Sequence, residues 1–296
     1  MSDTQRVRLD IAYAGGAFHG WAAQPGLRTV EGMLAEALAT ITRGTVALTV
    51  AGRTDAGVHA AWQVAHVDIA SEVWDGLPGR STRSSGEALA DRLNGVLGHM
   101  CEADPDVIVR SAAPVADTFD ARFSACGRHY RYLAADLRAL ACPWRLDVAV
   151  AKRPLDVAAM GEAARALIGE HDFLPFAKPR PGATTIRHLK QLDVSRTPDG
   201  LVAFTLHADA FCHSQVRFMV GALMRVGERA RPIGWIGDVL RAGVRDSAVP
   251  VAPARGLTLV RVDYPHPKLR RPGRTGPRRA HPARALGRGR YHRDRS

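Results

Sequence analysis

The nine residues from Gly52 to Ala60, GRTDAGVHA, constrain this chain more than any other segment. They set a carboxylate between an arginine and two glycines. The run before them, Thr45 to Ala51 (TVALTVA), is rich in β-branched residues and reads as a strand arriving from a core. Trp62 to Ile69 (WQVAHVDI) returns as a second strand, so Asp55 belongs on a connection between strands rather than inside a helix. Gly52 and Gly57 free the backbone for a tight turn and allow close approach by a ligand. Arg53, two residues from Asp55, is suited to a phosphate or to the carboxylate itself. A lone Gly-Arg-Thr-Asp-Ala-Gly would more often be a structural Asx turn with an arginine on its rim, but the full segment is much rarer.

The chain around this loop alternates strand-like and helix-like segments. Val7, Leu9, Ile11 and Tyr13 alternate with polar or small residues as a half-buried strand, and Gly15, Gly16 and Gly20 then break it into a loop. Thr29 is the expected N-cap of an amphipathic helix over 30–43, with Val30, Met33, Leu34, Ala37, Leu38 and Ile41 on one face. Residues 71–86 are polar and broken by Gly and Pro, which predicts a loop, followed by a helix over 87–97 and strands over 107–110 and 129–134. The second half predicts a helix over 155–168, strands over 189–196 and 201–208, and a long helix near 213–229. Pro232 suits the first turn of a further helix, and 257–263 is a last strand. Two halves of similar content, without a detectable sequence repeat, predict two α+β domains meeting at a cleft: 1–110 with the Asp55 loop, 111–265, and then a basic tail over 266–296.

Composition excludes several classes. The N-terminus runs directly into strand-like sequence with no apolar signal core, and no later apolar run is long enough to span a bilayer, so the expectation is a cytoplasmic protein with no membrane contact. Four cysteines, at 101, 126, 142 and 212, form no CxxC pair and support neither a zinc site nor a disulfide framework. Asp55 and His59 share i, i+4 spacing, yet the glycine-containing turn is not helical in pattern and no third ligand lies near, so no metal is expected. The histidines at 66, 99, 171, 188 and 207 are scattered and read as structural. The net charge of +12 is concentrated: 266–296 carries one lysine and ten arginines against one aspartate, leaving the body nearly neutral. Such a tail binds phosphates without sequence preference, or is a silent solvated extension.

Three segments read together carry more. GRTDAGVHA at 52–60, FDARFSACGRHYRYLA at 119–134 and FCHSQVRFMVGALMRVGE at 211–228 resemble the TruA family of tRNA pseudouridine synthases. YAGGAFHGW at 13–21, TVEGML at 29–34, LIGEHDF at 167–173 and RGLTLVRVDYP at 255–265 extend the resemblance over nearly everything before the tail. It implies the pseudouridine synthase fold, in which mainly antiparallel sheets flanked by helices surround a central RNA-binding cleft. It also implies a cofactor-free isomerisation of uridine to pseudouridine at tRNA positions 38, 39 and 40 in the anticodon stem-loop, by a homodimer that grips the tRNA with both subunits.

The resemblance assigns the catalytic role to Asp55, the active-site tyrosine to Tyr130, and the arginine that pairs with the aspartate to Arg217. An ionised carboxylate suits attack on the ribose carbon or the uracil ring, or abstraction of a sugar proton. The target base must leave its stack, and an aromatic face such as Tyr130 replaces the stacking lost. Tyr132 lies on the same strand face as Tyr130 and is core or functional. Arg53, Arg122, Arg128, Arg131 and Lys178 are candidate RNA contacts, each in or near a matched motif or basic loop. Two departures matter: the family often reads His-His-Met-Val-Arg-Asn where this chain has His213-Ser214-Gln215-Val216-Arg217-Phe218, and Ala14 replaces the usual aspartate of a YDG segment. Roles of the second histidine and of the asparagine therefore do not transfer. The alternatives are a noncatalytic RNA-binding or tRNA-folding protein on the same fold, and a synthase for other RNA uridines.

Overall fold

The structure is a computed structural model that describes residues 3–101, 104–137, 140–179 and 182–265; the expected basic tail lies outside the described residues. In chain order the elements are β1 (Thr4–Tyr13), α1 (Val30–Thr42), β2 (Thr49–Val50), β3 (His59–Ala70), α2 (Ser71–Gly76), α3 (Ser85–Met100), β4 (Val107–Pro114) and β5 (Gly127–Ala135). There follow β6 (Ala149–Val150), α4 (Val157–Ala164), β7 (Gly169–Asp172), β8 (Ile186–Arg196), β9 (Val202–Ala208), α5 (Gln215–Gly227), α6 (Trp235–Ala242) and β10 (Leu257–Asp263).

Local signals explain most of these. Alternation buries Val7, Leu9, Ile11 and Tyr13 along β1. Thr29 caps α1 by accepting the Gly32 N–H at 3.2 Å. Ser84 and Glu87 form a reciprocal capping box at the start of α3. Where expectation and structure differ, tertiary pairing is the cause. The run over 45–51 shrinks to β2, because only Thr49 and Val50 find a ladder partner, in β3. The 71–86 loop opens with α2, which is worth forming because it buries Trp74. Pro232 precedes α6 rather than starting it, and its carbonyl accepts the Trp235 N–H at 3.1 Å.

Among the described residues the strands form one largely antiparallel sheet in the order β4-β1-β3-β10-β5-β9-β8-β7, with β2 added to β3 and β6 to β5. The helices flank this sheet, as the α+β reading expects. The last strand takes a central place: β10 runs parallel to β3 on one side and antiparallel to β5 on the other, joining the strands of both halves. Two large apolar clusters result. One packs α1 and α3 against β1, β3 and β4; the other packs α4, α5 and α6 against β5, β8 and β9. Tyr130 on β5 touches both, and Val58, at the end of the Asp55 loop, is buried in the second. β4 runs through the expected domain boundary at 110.

Candidate active site

Asp55 sits on the short connection between β2 and β3. Gly57 takes a φ of +79°, and the Val58 N–H closes the turn on the Asp55 carbonyl at 3.2 Å. Gly52, by contrast, has an ordinary φ and open space beside it, so the turn needs one glycine rather than two. The loop following β1 pins the turn. The Trp21 N–H donates to the Thr54 carbonyl at 3.1 Å, the Gly57 N–H to the Phe18 carbonyl at 3.3 Å, and the Gly15 N–H to His59 Nδ1 at 3.1 Å. His59 thus shapes the loop. A Cβ on Gly15 would lie 1.9 Å from the Val58 carbonyl oxygen, so this close approach requires glycine. Beneath the turn, the Tyr13 hydroxyl shares a 2.8 Å hydrogen bond with Thr54 Oγ1, and Gln63 Nε2 donates to both Tyr13 Oη and the Gly52 carbonyl.

Across the seam between the cores, the start of α5 supplies the partners of the carboxylate. Arg217 Nη1 donates to Asp55 Oδ2 at 3.0 Å, Ser214 Oγ donates to the same oxygen at 2.6 Å, and His213 Nε2 lies 3.3 Å from Oδ1. Arg217 is itself fixed. Its Nε donates to the Ala252 carbonyl at 2.9 Å while the Ala252 N–H donates back to the Arg217 carbonyl at 3.0 Å. Ser214 occupies the N-cap position of α5 with a left-handed φ of 58° and makes no capping bond; that conformation turns its hydroxyl onto Asp55. Ser214 and Arg217 belong to the N-terminal end of α5, where the helix dipole favours a negative charge. The Asp55 side chain stays 21% exposed and that of Arg217 19%, so the pair is oriented by protein and reachable from solvent.

Tyr130 and Tyr132 share a face of β5 yet differ in setting. Tyr132 is fully buried, donates to the Pro253 carbonyl at 3.0 Å and packs edge-on to Phe204, which makes it core. Tyr130 is only half-buried, with its ring edge-on to Phe211 at 5.2 Å and 90°. Burial pushes the Tyr130 phenol well above its ordinary range, and the nearby Tyr13 and Asp55 add to the rise, so the hydroxyl stays neutral.

The other candidate cations divide. Arg53 is exposed on the Asp55 loop, and Lys178 is exposed with its N–H on the His213 carbonyl at 3.0 Å, which places both beside the site. Arg122 is exposed in the turn before β5. Arg131 alternates with the two tyrosines and so projects from the opposite face of β5. Arg128 is committed to the protein: its guanidinium donates to the carbonyls of Asp209, Ala51, Arg122 and Ala125 at 2.6, 2.9, 3.1 and 3.4 Å. Burial lowers its pKa, and those four carbonyls occupy the donors a phosphate would need. Sequence reasoning missed Ser214, whose role depends on a backbone conformation and a partner 159 residues away.

Fold and site together define an α+β protein that presents an oriented carboxylate beside a neutral tyrosine at the meeting of two cores. The family model described as tRNA pseudouridine synthase matches residues 163–265. The tRNA pseudouridine synthase A of Frankia casuarinae is 52% identical over 88% of this chain and 89% of its own length. Those of Streptomyces avermitilis and Mycobacterium leprae are 49% and 45% identical, covering 89% and 90% of this chain and 90% and 91% of their own lengths. This chain belongs to the tRNA pseudouridine synthase family.

Proposed function

We propose that this protein isomerises uridine to pseudouridine in tRNA, at positions 38, 39 and 40 of the anticodon stem-loop, with Asp55 as the catalytic group and without a cofactor. The observation that carries the reading is the Asp55 carboxylate, held by Arg217, Ser214 and His213 yet open to solvent beside Tyr130. Oδ2 takes the two hydrogen bonds from Ser214 and Arg217 while Oδ1 has His213 Nε2 at 3.3 Å, so Oδ1 is the less engaged oxygen and the better placed for the substrate, whether Asp55 acts as nucleophile or as base. A neutral Tyr130 favours stacking on the extruded uracil over action as a base at carbon 5. Arg53, Arg122 and Lys178 are the cations placed for phosphates.

Two lobes grip the substrate in this reading, one built on each core. The functional unit is a cytoplasmic homodimer, one subunit holding the tRNA body while the other acts on the stem-loop. The test is modification mapping on tRNA with the wild type and Asp55→Asn, with binding and complex mass measured on the same samples. The expected outcome is pseudouridine at those positions with the wild type only, RNA binding by both, and a dimer mass. Equal modification by both variants overturns the role of Asp55. Binding without any modification by the wild type favours the noncatalytic alternative, and a monomeric complex removes the dimer.

A further inference from the structure

Phe123 is the most exposed of the large apolar side chains among the described residues, at 80%, and its loop is firmly held. Asp120 Oδ1 accepts the N–H groups of both Arg122 and Phe123 at 2.8 Å, and Ser124 closes the turn in both directions on the Asp120 backbone. The Ala121 N–H donates to His66 Nδ1 at 3.0 Å, and the Tyr264 hydroxyl donates to the Ala121 carbonyl at 2.6 Å. The ring is therefore held out in solvent by a braced turn. A braced, bare aromatic is the geometry of a stacking platform, since its face is presented with little ordering left to do on binding.

The platform borders the catalytic loop. Arg128 Nη2 bonds the Arg122 and Ala51 carbonyls at once, so these oxygens lie within about 6 Å of each other, and Ala51 leads directly into Arg53 and Asp55. The Arg122 guanidinium lies 5.3 Å from the Phe123 ring centroid, over one face. That arrangement leaves the opposite face for a second flat partner and sets a cation beside it for a phosphate. Extrusion of a uridine into the Asp55 site unstacks the nucleotides that flank it, creating the flat apolar surface this ring fits.

We propose that Phe123 is a base-stacking platform that receives an unpaired nucleobase of the substrate tRNA next to the uridine held at Asp55, with Arg122 on the adjoining phosphate. This inference rests on the function proposed above. It is tested with an anticodon stem-loop RNA and with whole tRNA, by measuring affinity as a function of salt for the wild type and for Phe123→Ala, Phe123→Trp, Phe123→Leu and Arg122→Ala, alongside single-turnover modification. Because the side chain is exposed, all four variants should melt with the wild type.

Phe123→Ala and Phe123→Leu should bind the stem-loop about five- to a hundredfold more weakly with an unchanged salt slope, while Phe123→Trp restores binding. Arg122→Ala should instead reduce the salt slope by about one. Affinity within twofold of the wild type for Phe123→Ala, or full rescue by Phe123→Leu, overturns the platform. A change in oligomeric mass with RNA affinity intact also overturns it, and assigns the ring to a contact between copies. If the wild type forms no pseudouridine, the proposed function fails on its own, and the affinities still decide whether Phe123 stacks on RNA.

Discussion

At the scale of single residues, the site depends on a serine in an unusual conformation. Ser214 adopts a positive φ that costs an L-residue about 1–2 kcal/mol, and that backbone turns its hydroxyl from capping α5 to holding Asp55. Ser214→Gly and Ser214→Ala both remove the hydroxyl, but glycine accepts the backbone. We expect both variants to lose about tenfold or more in kcat, as for the loss of a hydrogen bond to a charged group, with Ser214→Gly the more stable by about 1 kcal/mol. Kinetics and thermal melts of the two variants check this; wild-type turnover in Ser214→Gly would show that the hydroxyl is dispensable. Asp55 and Arg217 were legible as a pair through the motifs that carry them. Ser214 was not, since a serine before a helix ordinarily reads as an N-cap.

At the scale of elements, the Asp55 turn is held in place by the loop after β1, which hydrogen-bonds to it, and that contact rests on glycine. Gly15→Ala should force its new methyl into the Val58 carbonyl and displace the Asp55 turn, lowering stability by about 2 kcal/mol and activity with it. Gly16→Ala is the control. Nothing lies within 4 Å of a Cβ there, and stability should change by less than about 0.5 kcal/mol. Equal melting temperatures for the two variants would mean the loop yields freely. The elements themselves were largely readable: β10 falls on the expected 257–263, and α1 is capped where expected by Thr29. β2 and α2 were not, because a two-residue ladder and a helix that pays through one buried tryptophan are decided by partners remote in sequence.

For the whole molecule, buried titratable groups set a pH window for stability. Burial lowers the pKa values of His59, His66 and His207 below the ordinary 6.5. In each case the unfolded chain binds a proton that the folded one resists, so stability is present above about pH 6.5 and is lost as pH falls through the folded values. Burial raises the phenols of Tyr13, Tyr130, Tyr132 and Tyr264 above the ordinary 10.0, Tyr13 to about 12. Here the unfolded chain loses its protons first, so stability is present below pH 10 and is lost as pH rises toward the folded values. Melting temperature should therefore be highest between about pH 6.5 and 10, falling on both sides; an unchanged melt between pH 7 and pH 5 would refute the histidine part.

Sequence alone determined the period of most of the strands and helices, the position of the Asp55 turn and the candidate residues Asp55, Tyr130 and Arg217, because these depend on short-range patterning and on residue type. The GRTDAGVHA segment, first readable as a glycine-rich Asx turn, could be tied by its motif to Tyr130 and Arg217 but not to Ser214. Only the tertiary structure decided that β10 enters the middle of the sheet, that Tyr132 is core while Tyr130 stays half-buried near Asp55, and that Arg128 donates to four backbone carbonyls. The reason is physical: burial and hydrogen-bond satisfaction are properties of neighbours brought together across the whole chain, and identical residue types take opposite roles according to which neighbours they meet.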